Sequence, residues 1–322
     1  MAGGQERILR RRIRSVQSTK KITRAMELIA GSRIVRAQAR VQAAVPYSDA
    51  ITEVVRDLAA TGAGTSSPLL MPRPEIRTVA HVVITADRGL CGGYNSSVLR
   101  AAEGSMRANA ELGRDYRLIL VGRKAESYFR YRDYRIADSF TGFDDPPSYE
   151  NARSVAAVIE QPFLSGECDL VEVIYTRFVS SSSQEVVDRP LMPLDQESLE
   201  GGDARPDPGL DGSVAPSYDF EPSADAILER LLPRYVEARI YAALLNACAS
   251  EHAERQRAMK AATDNADDLM TRLSRIMNRA RQDSITTEIM EIAGGAEALR
   301  DDGGHSRNEP DDFLAFSSNQ SV

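Results

Sequence analysis

Leu9-Arg-Arg-Arg-Ile-Arg-Ser-Val-Gln-Ser-Thr-Lys-Lys-Ile-Thr-Arg-Ala-Met-Glu-Leu-Ile29 decides the architecture. Apolar residues fall at Leu9, Ile13 and Val16 and again at Ile22, Met26 and Ile29, in steps of four and three. That is a narrow helical stripe, the spacing of a coiled-coil seam rather than of a broad globular face. Nothing from about Gln5 to Leu58 alternates like a strand, and Pro46 is the one strong breaker. At about 1.5 Å per residue the predicted helix runs roughly 80 Å, longer than a compact domain needs. The same spacing returns at the far end, from Ser223 to about Leu299. There Leu269, Leu273, Ile276 and Ala280 lead into Ile285, Ile289, Ile292 and Ala296. This second helix spans roughly 110 Å, and Pro233 is expected to kink it or mark its start. Neither helix can bury its stripe alone, so the economical arrangement winds one around the other. Two independent helical subdomains are the alternative.

Between the helices the pattern changes. Thr61-Gly-Ala-Gly-Thr-Ser-Ser-Pro and Met71-Pro-Arg-Pro form a turn-rich boundary. Strands are predicted at Val79–Thr85, Tyr116–Val121 and Arg135–Phe140, with Leu170–Phe178 and Gln184–Pro190 as a strand pair. Helices are predicted at Ser96–Leu112, Lys124–Arg130 and Ala152–Leu164. Strands alternating with helices imply a mainly parallel sheet with helices on its faces. The acidic, Gly- and Pro-rich run 195–217 reads as a disordered loop within a central domain 61–222.

Of 322 residues, 42% are hydrophobic and 27% charged, which excludes a disordered chain. No run of about 18 apolar residues offers a membrane span, and the start lacks the apolar core of a secretory signal. Cys91, Cys168 and Cys248 are odd in number and far apart, which fits a reducing cytosol and not a disulfide framework. His81, His252 and His305 are equally scattered, so spacing reveals no metal site. The net charge of −7 hides an asymmetry. Residues 1–40 hold eleven Lys/Arg against Glu6 and Glu27, whereas Asp195 to Asp225 holds nine acids against Arg205. A basic arm on an acidic chain points to nucleic acid, an anionic membrane or an acidic protein partner.

Asp87-Arg-Gly-Leu-Cys-Gly-Gly-Tyr-Asn sits where a phosphate-binding loop would follow a first strand. Its spacing is not Gly-x-Gly-x-x-Gly and it lacks Gly-Lys-Ser/Thr, so glycines for a tight strand-to-helix turn are the better reading. A Rossmann-like nucleotide enzyme with a helical appendage is the rival, and micromolar nucleotide affinity would favour it. Cys91 has no histidine nearby and reads as a small buried thiol. The arginines of the basic arm surround the helix, and no aromatic precedes Tyr47 to stack a base. In the last helix Ser250, Glu251, Lys260, Thr263, Asp264 and Asn265 make a polar run, while Ala258, Ala261, Ala262 and Ala266 permit close approach of a partner.

These stretches together resemble the gamma-subunit family of the F-type ATP synthases. Arg12-Ile-Arg-Ser-Val-Gln-Ser-Thr-Lys-Lys-Ile-Thr-Arg-Ala-Met-Glu-Leu-Ile-Ala is similar to that family's opening helix, and the Asp87 motif to its central loop. Met259-Lys-Ala-Ala-Thr-Asp-Asn-Ala and Arg279-Ala-Arg-Gln, continued by Ile285-Thr-Thr-Glu-Ile, are similar to its closing helix. The resemblance covers about Gln5 to Leu299. It implies an antiparallel coiled coil of N- and C-terminal helices with an inserted Rossmann-like α/β domain. It also implies a rotor without catalytic residues, cofactor or metal, turning among three alpha and three beta subunits. Proton flow through a c-subunit ring would drive it, with epsilon beside the α/β foot. No nucleic acid is expected, and membrane association is indirect, at the cytoplasmic face of the cell membrane. Carried over motif by motif, Arg281, Gln282, Thr286 and Glu288 imply contact with a beta-subunit loop, with Met26 on the facing helix near the same level. Phe220 and Glu221 imply contact with the c ring.

Three features depart from the family pattern. Ala30-Gly-Ser-Arg places Gly31 in a helix interior, at about 1 kcal/mol. The 195–217 loop is long. The chain also continues past Leu299 as a polar tail, 300–322, expected to be disordered and dispensable for coupling. Loss of ATP synthesis in reconstituted vesicles on deleting residues 301–322 would refute that expectation.

Overall fold

The computed structural model describes residues 2–60, 67–194 and 223–302. A first helix, α1 (Ala2–Ala60), leads to β1 (Thr78–Ile84), α2 (Tyr94–Glu111), β2 (Asp115–Val121), α3 (Arg123–Tyr131) and β3 (Ile136–Phe140). Then follow α4 (Tyr149–Ser165), β4 (Leu170–Phe178), β5 (Gln184–Met192) and the last helix, α5 (Ala224–Asp302). The run 195–217, expected to be disordered, lies outside the described residues, as does the expected disordered tail 300–322 beyond Asp302, where α5 ends.

The sheet order is β3-β2-β1-β4-β5, with β5 alone antiparallel. Central β1, Thr-Val-Ala-His-Val-Val-Ile, is buried on both faces, as a near-continuous apolar run predicts. Its alternate residues feed different cores. Val83 packs with Val98, Met106 and Phe129 under α2 and α3. Val82 and Ile84 pack with Val155, Ile159 and Phe163 of α4, Ile51, Val55 and Leu58 of α1, and Leu232 and Tyr235 of α5. The long helices are therefore built into the second core. Pro46 and Pro233 both lie inside helices. Each removes one intrahelical hydrogen bond, a cost met by the buried residues flanking it. Helix α4 begins at Tyr149, ahead of the expected Ala152, because Ser148 and Asn151 form a reciprocal capping box.

The chain divides into two compact units: Met1–Lys21 with Asp264–Val322, and Ile22–Thr263. In the second unit the α1 seam runs through Thr23, Glu27, Ala30, Ile34, Ala37, Val41, Ala44 and Ser48. Thr23 bonds Thr263 at 2.8 Å, and Gly31 lies against Gln256, so the helices are antiparallel. In the first unit the seam is Glu6, Leu9, Ile13, Val16 and Lys20, facing Ala266, Met270, Leu273, Met277, Ala280 and Ser284.

This corrects the predicted stripe. Leu9, Ile13 and Val16 belong to the seam, but Ile22 and Ile29 are 61% and 54% exposed. A strict heptad from Val16 reaches Lys20 and Thr23, polar residues whose seam positions are satisfied by Asp267, at 2.6 Å from Lys20, and by Thr263. On α5 likewise, Leu273 and Ala280 face the partner while Leu269 and Ile276 point outward. Counting back from the Lys20–Asp267 pair, α1 runs out level with about residue 285. Beyond it Ile285, Ile289, Met290, Ile292 and Leu299 are all exposed.

Candidate functional site

The segment between β1 and α2 is held by its own side chains. Leu90 and Gly92 have positive φ, and Asn95 accepts from the Ala86 amide at 2.9 Å while its amide donates to Cys91 Sγ at 3.0 Å. Cys91 is buried, and burial pushes its thiol up, the opposite of an activated nucleophile. Asp87 takes the place a ligand anion would need. Its two carboxylate oxygens accept from the Arg123 amide, which opens α3, at 2.8 Å and from the Gly142 amide at 2.7 Å. The helix N-terminus is thereby satisfied from within the protein. Asp87→Ala is expected to cost about 1–2 kcal/mol by leaving both amides without this acceptor, read as a shift in denaturant midpoint at unchanged slope.

The loop docks onto α5. Arg255, held by Glu251 at 2.6 Å, donates to the carbonyls of Gly89 at 3.3 Å and Arg88 at 3.5 Å. A side chain at Gly92 would meet Ala258 Cβ at 3.6 Å and Glu254 Oε2 at 3.3 Å. Ala258 thus serves close approach, as its size suggests, but to this loop; Ala261 is exposed.

A second junction lies one turn away. Asp145, on the β3–α4 loop, receives His252 Nε2 at 2.8 Å and Cys248 Sγ at 3.5 Å, both from α5, and pairs with Arg33 of α1. The His252 hydrogen bond is the largest influence on Asp145 and holds the pKa of its carboxyl down at about 2. The separate positions of His252, Cys248 and Asp145 in sequence hide this cluster; its only local signal is Cys248 and His252 four apart on one helix face.

At the other extreme, Arg281, Gln282, Thr286 and Glu288 are exposed on α5, with Thr286 donating only to the Gln282 carbonyl. Met26 is half-buried on α1. Within its own unit, the Thr23–Thr263 and Gly31–Gln256 contacts put Met26 level with about residue 261 of α5. Phe220 and Glu221 lie outside the described residues.

Known proteins resolve what such a scaffold is. The ATP synthase family model matches residues 5–299. The ATP synthase gamma chain of Kineococcus radiotolerans is 48% identical over 307 residues, covering 94% of this chain and 99% of its own. That of Frankia casuarinae is 50% identical over 300 residues, covering 92% and 98%. This chain belongs to the ATP synthase gamma-chain family. Its fold is shared with a chain of the Euglena gracilis mitochondrial ATP synthase in an OSCP/F1/c-ring structure, at TM-score 0.64 and 17% identity, covering 95% and 99%. A chain of the Tetrahymena thermophila central stalk and c-ring structure aligns at TM-score 0.55 and 23% identity, covering 75% and 99%. A gamma chain is a rotary subunit of the synthase and not a catalyst on its own. The Asp87 loop and the Asp145 junction accordingly act as joints that fasten the α/β domain to the long helices. Among the described residues no helix is long and apolar enough to cross a membrane.

Proposed function

We propose that this gamma chain is the central rotor that couples proton flow through a c-subunit ring to ATP synthesis by three alpha and three beta subunits. The observation that carries the reading is the last stretch of α5. Residues 285–299 form regular helix, yet every one is exposed, including five large apolar side chains. An apolar helix face beyond the end of its partner helix fits a surrounding protein sleeve. Below it the basic surface of α1 suits acidic loops of beta subunits, and exposed charge pairs are weak enough individually to slide. Segments 1–60 and 223–299 serve as the shaft, 61–222 as the foot, and 300–322 as an appended tail.

In this reading Met26, Arg281, Gln282, Thr286 and Glu288 touch a beta subunit, and Phe220 and Glu221 rest on the c ring. Epsilon binds beside the α/β domain, and the chain is peripheral to the cytoplasmic face of the cell membrane. Co-purification of a tagged chain should yield alpha and beta at three each; their absence would overturn the proposal. In the reconstituted synthase, Arg281→Glu is expected to lower proton-driven ATP synthesis about fivefold, the equivalent of one exposed charge pair replaced by repulsion. Unchanged synthesis would remove Arg281 from the contact.

A further inference from the structure

The Asp145 junction holds more donor chemistry than a joint requires. Arg33 engages one oxygen of Asp145, Oδ2, and leaves Oδ1 facing His252 Nε2 and Cys248 Sγ. These three ligand atoms, one each of oxygen, nitrogen and sulfur, lie within 4.8 Å of one another. Tetrahedral zinc, with bonds of about 2.0 Å to nitrogen and oxygen and about 2.3 Å to sulfur, separates its ligand atoms by about 3.3–3.5 Å. The observed sulfur–oxygen edge of 3.5 Å already matches it, and the nitrogen–oxygen edge of 2.8 Å has to open by about 0.5 Å. Cys248 and His252 are buried, one helical turn apart, and both front a cavity of about 830 Å³ that reaches them between α1, α5 and the carboxyl ends of the strands. That cavity supplies an approach path and room for a fourth, non-protein ligand.

We propose that Asp145, Cys248 and His252 form a zinc site, with Arg33 orienting the carboxylate from outside. On binding, Cys248 releases its thiol proton to solvent and the metal takes the sulfur lone pair. The Nε2 proton of His252, which faces Asp145 before binding, passes to solvent, and Nδ1 takes one proton from solvent, so the ring stays neutral with the Nε2 lone pair free to coordinate. Arg255 Nη1 now stands 3.4 Å from that Nδ1, so it swings away while keeping its Glu251 partner. Thiolate and carboxylate together balance the two charges of the ion, which is why the neighbouring arginines do not repel the loaded site. The loaded site clamps the β3–α4 loop to α5 independently of whether the chain turns in a synthase.

The test uses the full-length chain and cobalt as a spectroscopic stand-in. One equivalent of Co²⁺ should produce a thiolate-to-cobalt charge-transfer band and tetrahedral visible bands, bleached by one equivalent of Zn²⁺. Both bands should vanish in Cys248→Ser, and the tetrahedral set in His252→Ala, while Cys91→Ser and Cys168→Ser keep them. X-ray absorption of the unaltered zinc-loaded chain should show one sulfur at about 2.3 Å among lighter ligands, a readout that no misfolded variant can confuse. Absence of the band, its survival in Cys248→Ser, or a shell of nitrogen and oxygen alone would overturn the proposal.

Discussion

Gly122→Ala should destabilise the chain by about 4 kcal/mol, more than most single substitutions to alanine. Gly122 follows β2 and precedes α3 at φ +97, a region that side-chain-bearing residues rarely enter. That alone costs about 1–3 kcal/mol. The added methyl would also stand 2.2 Å from the Thr85 carbonyl oxygen and 2.7 Å from its carbon, and backbone cannot rotate out of the way. Relief requires moving β1 against β2 at the point where Thr85 ties them together. Its amide donates to the Val121 carbonyl at 2.8 Å, its hydroxyl to the same carbonyl at 3.2 Å, and it accepts from the Ala125 amide at 2.9 Å. Overpacking of this kind adds about 1–3 kcal/mol. Gly113, at φ +75 with nothing within 4 Å, is the matched control and should lose about 1 kcal/mol on the same change. Denaturant unfolding of both variants decides: equal losses would show that the contact with Thr85 costs nothing.

The α/β domain was legible because each element carries its own local signal. β1 is an apolar run bounded by turns, and β4 and β5 are separated by a serine turn that closes through Ser180 and Ser183. What escaped lay in partners distant in sequence. The heptad crosses Lys20, Thr23 and Glu27, which look like surface residues until Asp267, Thr263 and the facing helix supply their environment. A hydrophobic count therefore slipped to Ile22 and Ile29, which face outward. Asp87 was read as part of a turn, and only the fold reveals that it caps a helix that begins 36 residues later. His252 and Cys248 carry no spacing signal of their own, because their partner Asp145 comes more than a hundred residues earlier. The family motifs overcame this limit for the architecture, since several of them in order fix a topology. They could not do so for pairwise contacts such as that of Asp87 with the Arg123 amide.

Glu160 provides the other large expected effect, and it is a pH effect. The residue lies on α4, and its buried Oε1 accepts no hydrogen bond among the described residues. The carboxylate that acts on it, Glu237, is already served by the Tyr149 hydroxyl at 2.9 Å, by Arg234 at 3.0 Å and by Arg153 at 3.5 Å, leaving Glu160 only its repulsion. Burial first, and Glu237 second, raise the Glu160 carboxyl from 4.5 to about 7. A carboxyl raised on folding binds its proton more tightly in the folded chain than in the unfolded one. Its contribution is therefore fully present below about pH 4.5 and is lost as pH climbs through about 7. The full shift corresponds to about 3 kcal/mol, and partial solvent access reduces this to about 2. Glu160→Gln keeps the shape and removes the titration. It should match the parent chain within about 0.5 kcal/mol at pH 4.5 and exceed it by about 2 kcal/mol at pH 8. Urea unfolding of both chains at the two pH values isolates the difference, because every other titrating group is common to them. A gap that stays constant between those values would mean that the Glu160 carboxyl titrates alike in the folded and unfolded chain, and that water or an unrecognised donor reaches its buried oxygen.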